Sequence, residues 1–381
     1  MHSQGFPVEV GEGVRLIDDS ASQANKREHN WFGASGRPHL EQQIMEQLYE
    51  GVARAIVTPS LGIYLIGYAD RDVGCASVHD DLTATALVLD GGATQLAIIA
   101  LDMLALNEHV VARVRAGITE RWQVPGKQIM ICCSHTHSGP IAYADEKSRR
   151  ENRQFIDGLV KKLVAAVGEA LAERVPVTAA WGQTEADVAI NRRQLMPDGE
   201  VIIGVNPDGP VDRSLNVLRL NRLDDGRPLV TLVNLACHAT TLGPDSNAVS
   251  AEWPGVTRRE VEAATGARCM FLQGATGNLN PRHEWGEDDI VAMEQLGQDV
   301  AEHVLDLLPA LKPFAATPLW ARSDHAWLPI VPQVRPDGSG RLTYTEVLAE
   351  YANIPESMVD QLLDDRYPWK TTLEQRGGRW Y

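Results

Sequence analysis

Residues 128–140 read QIMICCSHTHSGP. The apolar run in Gln128 to His135 predicts a strand buried on both faces. It then breaks into Ser134-His135-Thr136-His137-Ser138-Gly139-Pro140, a cluster of polar and turn-forming residues. Upstream, LTATALVLD (82–90) and TQLAIIALD (94–102) predict two strands around the Asp90-Gly91-Gly92 turn. Leu106, Val110, Val114 and Ile118 then recur with helical spacing. Further upstream, VARAIVTPSLGIYLIGY (52–68) reads as strand, Pro/Gly turn, strand. Residues 1 to about 38 are polar and aperiodic, and His39 to Glu50 predicts a short helix. The expected division is an N-terminal extension over 1–50 and one α/β domain over 51–381.

Downstream of the motif, Phe155, Leu159, Leu163, Val167 and Leu171 mark a long amphipathic helix. VTAAW (177–181), SLNVLRL (214–220), PLVTLVNLAC (228–237) and RCMFLQG (268–274) read as strands. Glu252 to Ala264 reads as a helix, and Ile290, Met293, Leu296, Val300, Val304 and Leu307 stripe another. After Pro313 the pattern loosens, with helices expected near 344–352 and 355–364. Strands alternate with helices while hairpins intervene, which predicts an α/β fold with mixed β-sheets flanked by helices. No repeat of 20–50 residues is visible.

The composition narrows the function. The chain has 381 residues, 44% hydrophobic and 23% charged, enough for a large core. A formal net charge of −16 argues against a general nucleic-acid binder, which needs basic excess to displace counterions. The N-terminus shows no basic stretch followed by an apolar run, and no segment has bilayer-spanning length, so the expected location is cytoplasmic. The five cysteines include no Cys-x-x-Cys pair, which suggests reduced thiols rather than a zinc ribbon.

Several apolar runs end in polar clusters. QIMICC meets His135 and His137; PLVTLVNLAC meets His238-Ala239-Thr240-Thr241; RCMFLQG meets Ala275-Thr276-Gly277-Asn278-Leu279-Asn280-Pro281; TQLAIIA meets Asp102. Ligands of open α/β sheets bind outside the carboxyl ends of strands, so these four ends describe one crevice. If the strand continues through the motif, His135 and His137 point to the same face. Neutral imidazole is a zinc ligand, whereas a single buried histidine is more often a satisfied core group; three at strand ends favour a site. Asn191-Arg192-Arg193 places an arginine that suits a carboxylate or an oxyanion, or else forms a surface pair. GATGNLNP suits backbone anion binding or a plain turn. His79-Asp80-Asp81 is a site element or a solvated turn. His2, His29, His39, His109, His303 and His325 receive no role.

Together these segments resemble the neutral/alkaline non-lysosomal ceramidase family. ARAIVTPSLGIYLIGY, VHDDLTATALVLD, SHTHSGP, INRR, NLACHATTL and LQGATGNLNP occur in the family's order, over about Val52 to Leu308. The resemblance implies a layered αββα catalytic domain and hydrolysis of an N-acyl sphingosine amide with one zinc ion. It implies that His135 and His238 are zinc ligands, His137 a catalytic histidine near the scissile amide, and Arg192 an active-site arginine. Three departures stand out. The family's active-site serine falls at Asn280, which can orient substrate but cannot attack it. The remaining family ligands, a glutamate and a tyrosine, find no match before Tyr381, so the domain is expected to lack its C-terminal portion. The immunoglobulin-like domain of many members has no counterpart.

The function that follows is zinc-dependent hydrolysis of a linear amide, ceramide-like or another N-acyl substrate, with metal-activated water as the attacking group. Asp102 is the expected third zinc ligand. With so few recognisable ligands, weak zinc binding and slow turnover are expected. The alternative is a ceramidase-like binding protein or fragment without full zinc ligation. A barrel amidohydrolase ranks last, because eight regular strand–helix units are not visible. Substrate identity and oligomeric state are not legible in the sequence.

Overall fold

The strands and helices follow the chain's apolar periodicity, and they assemble into two sheets that share a seam. The computed structural model describes residues 47–321, apart from 69–70, 72, 141, 143–149, 198, 200, 284–285 and 287–288, together with 375–376 and 379–380. The first half comprises Tyr49–Ile56 (β1), Leu65–Ile66 (β2), Ser77–Val78 (β3), Thr83–Asp90 (β4) and Gln95–Leu101 (β5). Helix Glu108–Trp122 (α1), Ile129–Cys133 (β6), Gly139–Pro140 (β7) and helix Arg150–Ala172 (α2) complete it. The second half begins with Val175–Glu185 (β8), Ala189–Leu195 (β9), Val201–Asn206 (β10), Ser214–Arg222 (β11) and Pro228–Leu235 (β12). It continues with Ala248–Val249 (β13), helix Glu252–Thr265 (α3), Arg268–Gln273 (β14), Leu279–Pro281 (β15), helix Asp289–Leu307 (α4) and Lys312–Phe314 (β16).

The main strand order is β14-β12-β11-β8-β1-β4-β5-β6, with β16 also on β8. β4 and β5 form the expected hairpin, with Asp90 opposite Gln95. β5 and β6 are parallel, as are β12 and β14. Within the main sheet, the described strands of the two halves pair where Tyr49 and Glu50 of β1 meet Pro176 and Val175 of β8, and β13 also pairs with β3 outside that sheet.

The apolar side chains show how the halves stack. Ala84, Ala86 and Val88 of β4 pack with Val110, Val114 and Ile118 of α1 and Leu159, Leu163 and Val167 of α2. Leu87 and Leu89, on the other face of β4, pack with Val177, Leu220, Leu232 and Met270 of the second half. Leu215, Val217, Val233 and Phe271 face Val256 and Val261 of α3 and Met293, Val300 and Val304 of α4. Alternate residues of a strand serve opposite faces, so one strand feeds two cores. The result is the layered αββα arrangement.

Several expectations need correction. β6 is an edge strand rather than one buried on both faces: among the described residues it pairs only with β5, and Met130 is 48% exposed. The second strand expected in 52–68 shrinks to Leu65–Ile66, paired with Gly139–Pro140. The helix expected at His39–Glu50 is not formed over 47–50, where the chain enters β1; residues 39–46 lie outside the described residues, as do the helices expected at 344–352 and 355–364. Leu106 precedes its helix, which Asn107 caps by accepting from the Val110 amide at 3.0 Å. The β9–β10 hairpin was not foreseen. All five cysteines are free.

Candidate metal centre

The carboxyl ends of β6, β12 and β14 converge, and one glutamine ties them. Gln273 donates through Nε2 to Ser134 O and to Cys237 O, both at 2.8 Å. It thereby holds the loop after β6 against the loop after β12. The strand does not continue through the motif. His135 turns into the left-handed region at φ 65°, a conformation a non-glycine residue adopts at a cost and often at functional sites. Thr136 then bridges Ala239 in parallel fashion, and the His137 amide donates to Ala239 O at 3.2 Å. The shared face expected from strand alternation is therefore produced by a turn and a cross-loop bridge.

The three imidazoles meet. Ring centroids lie 4.8 Å apart for His135 and His238, 5.2 Å for His135 and His137, and 5.5 Å for His137 and His238. One ligand nitrogen from each lies within 4.8 Å of the others. Nδ1 of His135 donates to Leu104 O at 2.8 Å, and Nδ1 of His238 to Leu279 O at 2.9 Å. A carbonyl only accepts, so each Nδ1 carries the proton and each Nε2 keeps a free lone pair. Metal-ligating histidines are oriented in this way.

Electrostatics keep the rings neutral. Burial lowers the pKa of all three. His137 falls to about 3, chiefly by burial and then by the neighbouring histidines. His238 falls to about 4, by burial, then by Arg192 and His135. Among the described residues, the shielded hydroxyls of Ser134 and Ser138 have no hydrogen-bond partner, and the shielded ring nitrogens of His137 have none beyond a weak contact with the Gly67 backbone. Buried polar atoms in folded proteins are nearly always paired, so such a concentration marks a place that takes a ligand.

Arg192 and Asn280 come together beside the histidines on the small sheet β10-β9-β15. Arg192 donates through Nε to Gly277 O at 3.1 Å and through a terminal nitrogen to Asn280 Oδ1 at 3.4 Å. That contact uses the acceptor half of the Asn280 amide and leaves its donor half for another partner. Arg193 is exposed and also donates to Gly277 O, at 3.2 Å.

Asp102 is the site residue the structure places elsewhere. Both oxygens accept from Arg258, at 2.5 and 2.7 Å, and Oδ2 also accepts from the Thr83 amide and hydroxyl. A carboxylate so engaged is a structural anchor for α3 rather than a ligand of the histidine cluster. Asp80 has a similar duty, accepting from Ser250 Oγ at 2.5 Å and the Ala251 amide at 3.0 Å at the start of α3.

Sequence reasoning missed the residues that hold the His238 loop. Glu252 is fully buried at φ 62°, with its pKa raised to about 7 by burial. Its carboxylate accepts from the Leu242 amide at 2.7 Å and from the Thr241 amide at 3.1 Å and hydroxyl. Trp253 Nε1 donates to His238 O at 2.9 Å. Tyr68 donates to Leu242 O at 2.8 Å, and Arg71 donates to His137 O at 2.7 Å. The available signal was the acidic residue opening the α3 pattern; nothing in the sequence links it to a loop ten residues earlier.

The donor set fits a metal ion: neutral imidazoles, two with fixed Nδ1–H tautomers, and nitrogens close enough to converge. Fold and site thus define a layered α/β protein with a three-imidazole centre suited to a metal. The family model described as neutral/alkaline non-lysosomal ceramidase, N-terminal, matches residues 49–280, and the chain belongs to that family. Two solved structures share the fold. The crystal structure of neutral ceramidase from Pseudomonas aeruginosa is 18% identical with a TM-score of 0.59, over 68% of this chain and 44% of that one. A structure described as ceramidase complexed with C2 is 19% identical with a TM-score of 0.59, over 68% of this chain and 43% of that one. The match spans less than half the length of either. A search of curated proteins gives no significant match. Among the described residues, no helix is long and apolar enough to cross a membrane.

Proposed function

We propose that the chain is a zinc-dependent hydrolase of a linear N-acyl amide, with a lipid-like substrate of the N-acyl sphingosine kind or another N-acyl compound. The observation that carries this reading is the pair His135 and His238, each fixed through Nδ1 and each offering a ring nitrogen within 4.8 Å of those of the other imidazoles. A zinc ion held there supplies Lewis acidity and a water that ionises near pH 7 rather than 15.7. Everything else is the work of the chain. His137, neutral and beside both ligands, takes up a proton as water attacks and delivers it to the departing amine nitrogen. Asn280 has no nucleophilic oxygen, so the attacking group is water. Its amide N–H and the Arg192 charge stabilise the oxyanion, and loss of such a donor costs about 10²–10³ in rate.

The test combines zinc titration with hydrolysis of an N-acyl amide. His135→Ala and His238→Ala are expected to lose stoichiometric zinc and turnover together. Unchanged zinc affinity in both variants would overturn the assignment. His137→Ala is expected to abolish turnover with zinc retained. A second role for His137, as third ligand, has its own motive: Asp102 is committed to Arg258, and the His137 nitrogen lies within 4.8 Å of the other two. Zinc lost along with activity in His137→Ala decides for that role.

A further inference from the structure

Gly67, Tyr68 and Arg71 all contact His137. A Cβ at Gly67 would lie 2.6 Å from the His137 ring, and Gly67 sits at φ 125°, so only glycine fits. The Tyr68 ring lies 5.1 Å from that of His137, centroid to centroid. Arg71 stacks on Tyr68 with Cζ 4.8 Å from the ring centroid, and one terminal nitrogen donates to His137 O. The other nitrogens, Nε and the second terminal nitrogen, are shielded from solvent, and among the described residues no acceptor reaches them. Those two N–H groups share one edge of the guanidinium, the fork that matches a carboxylate bidentately.

Nothing described in the chain supplies the missing acceptor. Glu252 acts on Arg71 as an opposite charge, but its oxygens accept from Thr241, Leu242 and Trp253. Two shielded charged N–H donors without an acceptor are costly, and the cost is recovered when a ligand brings one. A fatty acyl chain has no charge to bring. The carboxylate comes either from the amine half of the amide or from the acid that hydrolysis releases.

We propose that the free edge of Arg71 binds a substrate carboxylate, so that the preferred substrates are N-acyl amides whose amine half ends in a carboxylate, as in N-acyl amino acids. This rests on the amide-hydrolase reading above and deepens it.

The test compares N-lauroyl-glycine, N-lauroyl-β-alanine and N-lauroyl-4-aminobutyrate with N-lauroyl-ethanolamine, using the zinc-loaded wild type, Arg71→Met and Arg71→Lys. The KM of the best carboxylate amide is expected about 10–100-fold below that of the ethanolamide, as for hydrogen bonds to a charged group. Arg71→Met should raise that KM by the same factor, and raise the ethanolamide KM at least about tenfold less. Arg71→Lys, which keeps the charge but not the fork, should recover only part. Circular dichroism and zinc content establish that the variants fold. Equal KM values for acid and alcohol amides in folded wild type overturn the proposal. So does calorimetric binding of laurate alone that depends on Arg71 without any preference among the amides, because it assigns the fork to the released acid. If no amide is hydrolysed, the hydrolase reading fails. Calorimetric binding of N-lauroyl-glycine then still decides the matter: binding to wild type and not to Arg71→Met sustains the fork, and equal binding to both overturns it.

Discussion

The end of β5 and the ends of β6 and β12 look alike in sequence and differ in the fold. Each apolar strand stops at a polar residue: Asp102 in one case, His135 and His238 in the others. Asp102 spends its oxygens on Arg258 and Thr83. The histidines spend one nitrogen each on a carbonyl and keep the other. A polar group at a strand end is thus a site candidate only when it has hydrogen-bonding capacity left over. The same strand-end position serves as an anchor where that capacity is exhausted.

The largest effect expected from this contrast is on stability. Asp102→Ala leaves Arg258 buried and unpaired, which should cost about 3–5 kcal/mol in urea denaturation. Replacing both partners, as Asp102→Leu with Arg258→Met, should cost far less. A single-variant loss below about 1 kcal/mol would make the pair incidental and reopen Asp102 as a ligand.

Glu50 probes the rule from the opposite side. It is buried at the seam of the two sheets, its Oε2 has no partner among the described residues, and burial raises its pKa from 4.5 to about 7. It belongs to no cluster. The folded state holds its proton up to about pH 7 while the unfolded chain releases it near 4.5, so stability falls as pH rises between those values. Glu50→Gln should remove that slope and add up to about 3 kcal/mol at pH 8, with little change at pH 4. A flat stability profile in the wild type would show that water reaches the carboxyl.

The smallest stability effect belongs to the centre itself. In metal-free protein, His238→Ala should cost less than Asp102→Ala at pH 7, because it removes neutral hydrogen bonds to the Leu279 and Thr276 backbone and leaves no buried charge unpaired. The depressed histidine pKa values set the opposite pH sense from Glu50. Their contribution is present above about pH 6.5 and is lost as pH falls toward 4, since the unfolded chain then binds protons that the folded one does not. A loss as large as that of Asp102→Ala would erase the distinction between anchor and site.

Much of the fold was legible because its signals are local. β4 and β5 show apolar strands around a Gly-Gly turn, and α2 and α4 show apolar stripes at helical spacing. The β9–β10 hairpin was missed because AINRRQL and VIIGVN alternate on a partly exposed surface and carry little apolar contrast. β6 looked doubly buried because hydropathy does not report which strand lies at an edge. At the centre, His135, His137 and His238 were found by motif and by strand-end position. Gln273, Glu252, Tyr68 and Arg71 were not, because their roles depend on partners brought from distant segments.

The sequence alone determined the family, through motifs in fixed order, and the element pattern, through periodicity, because both are local properties of the chain. Only the tertiary structure decided that Asp102 is an anchor, that a left-handed turn at His135 aims the two motif histidines, and that Arg71 keeps two donors unspent. Those outcomes rest on which groups meet across the chain, and hydrogen-bonding capacity can be counted only once every partner is in place.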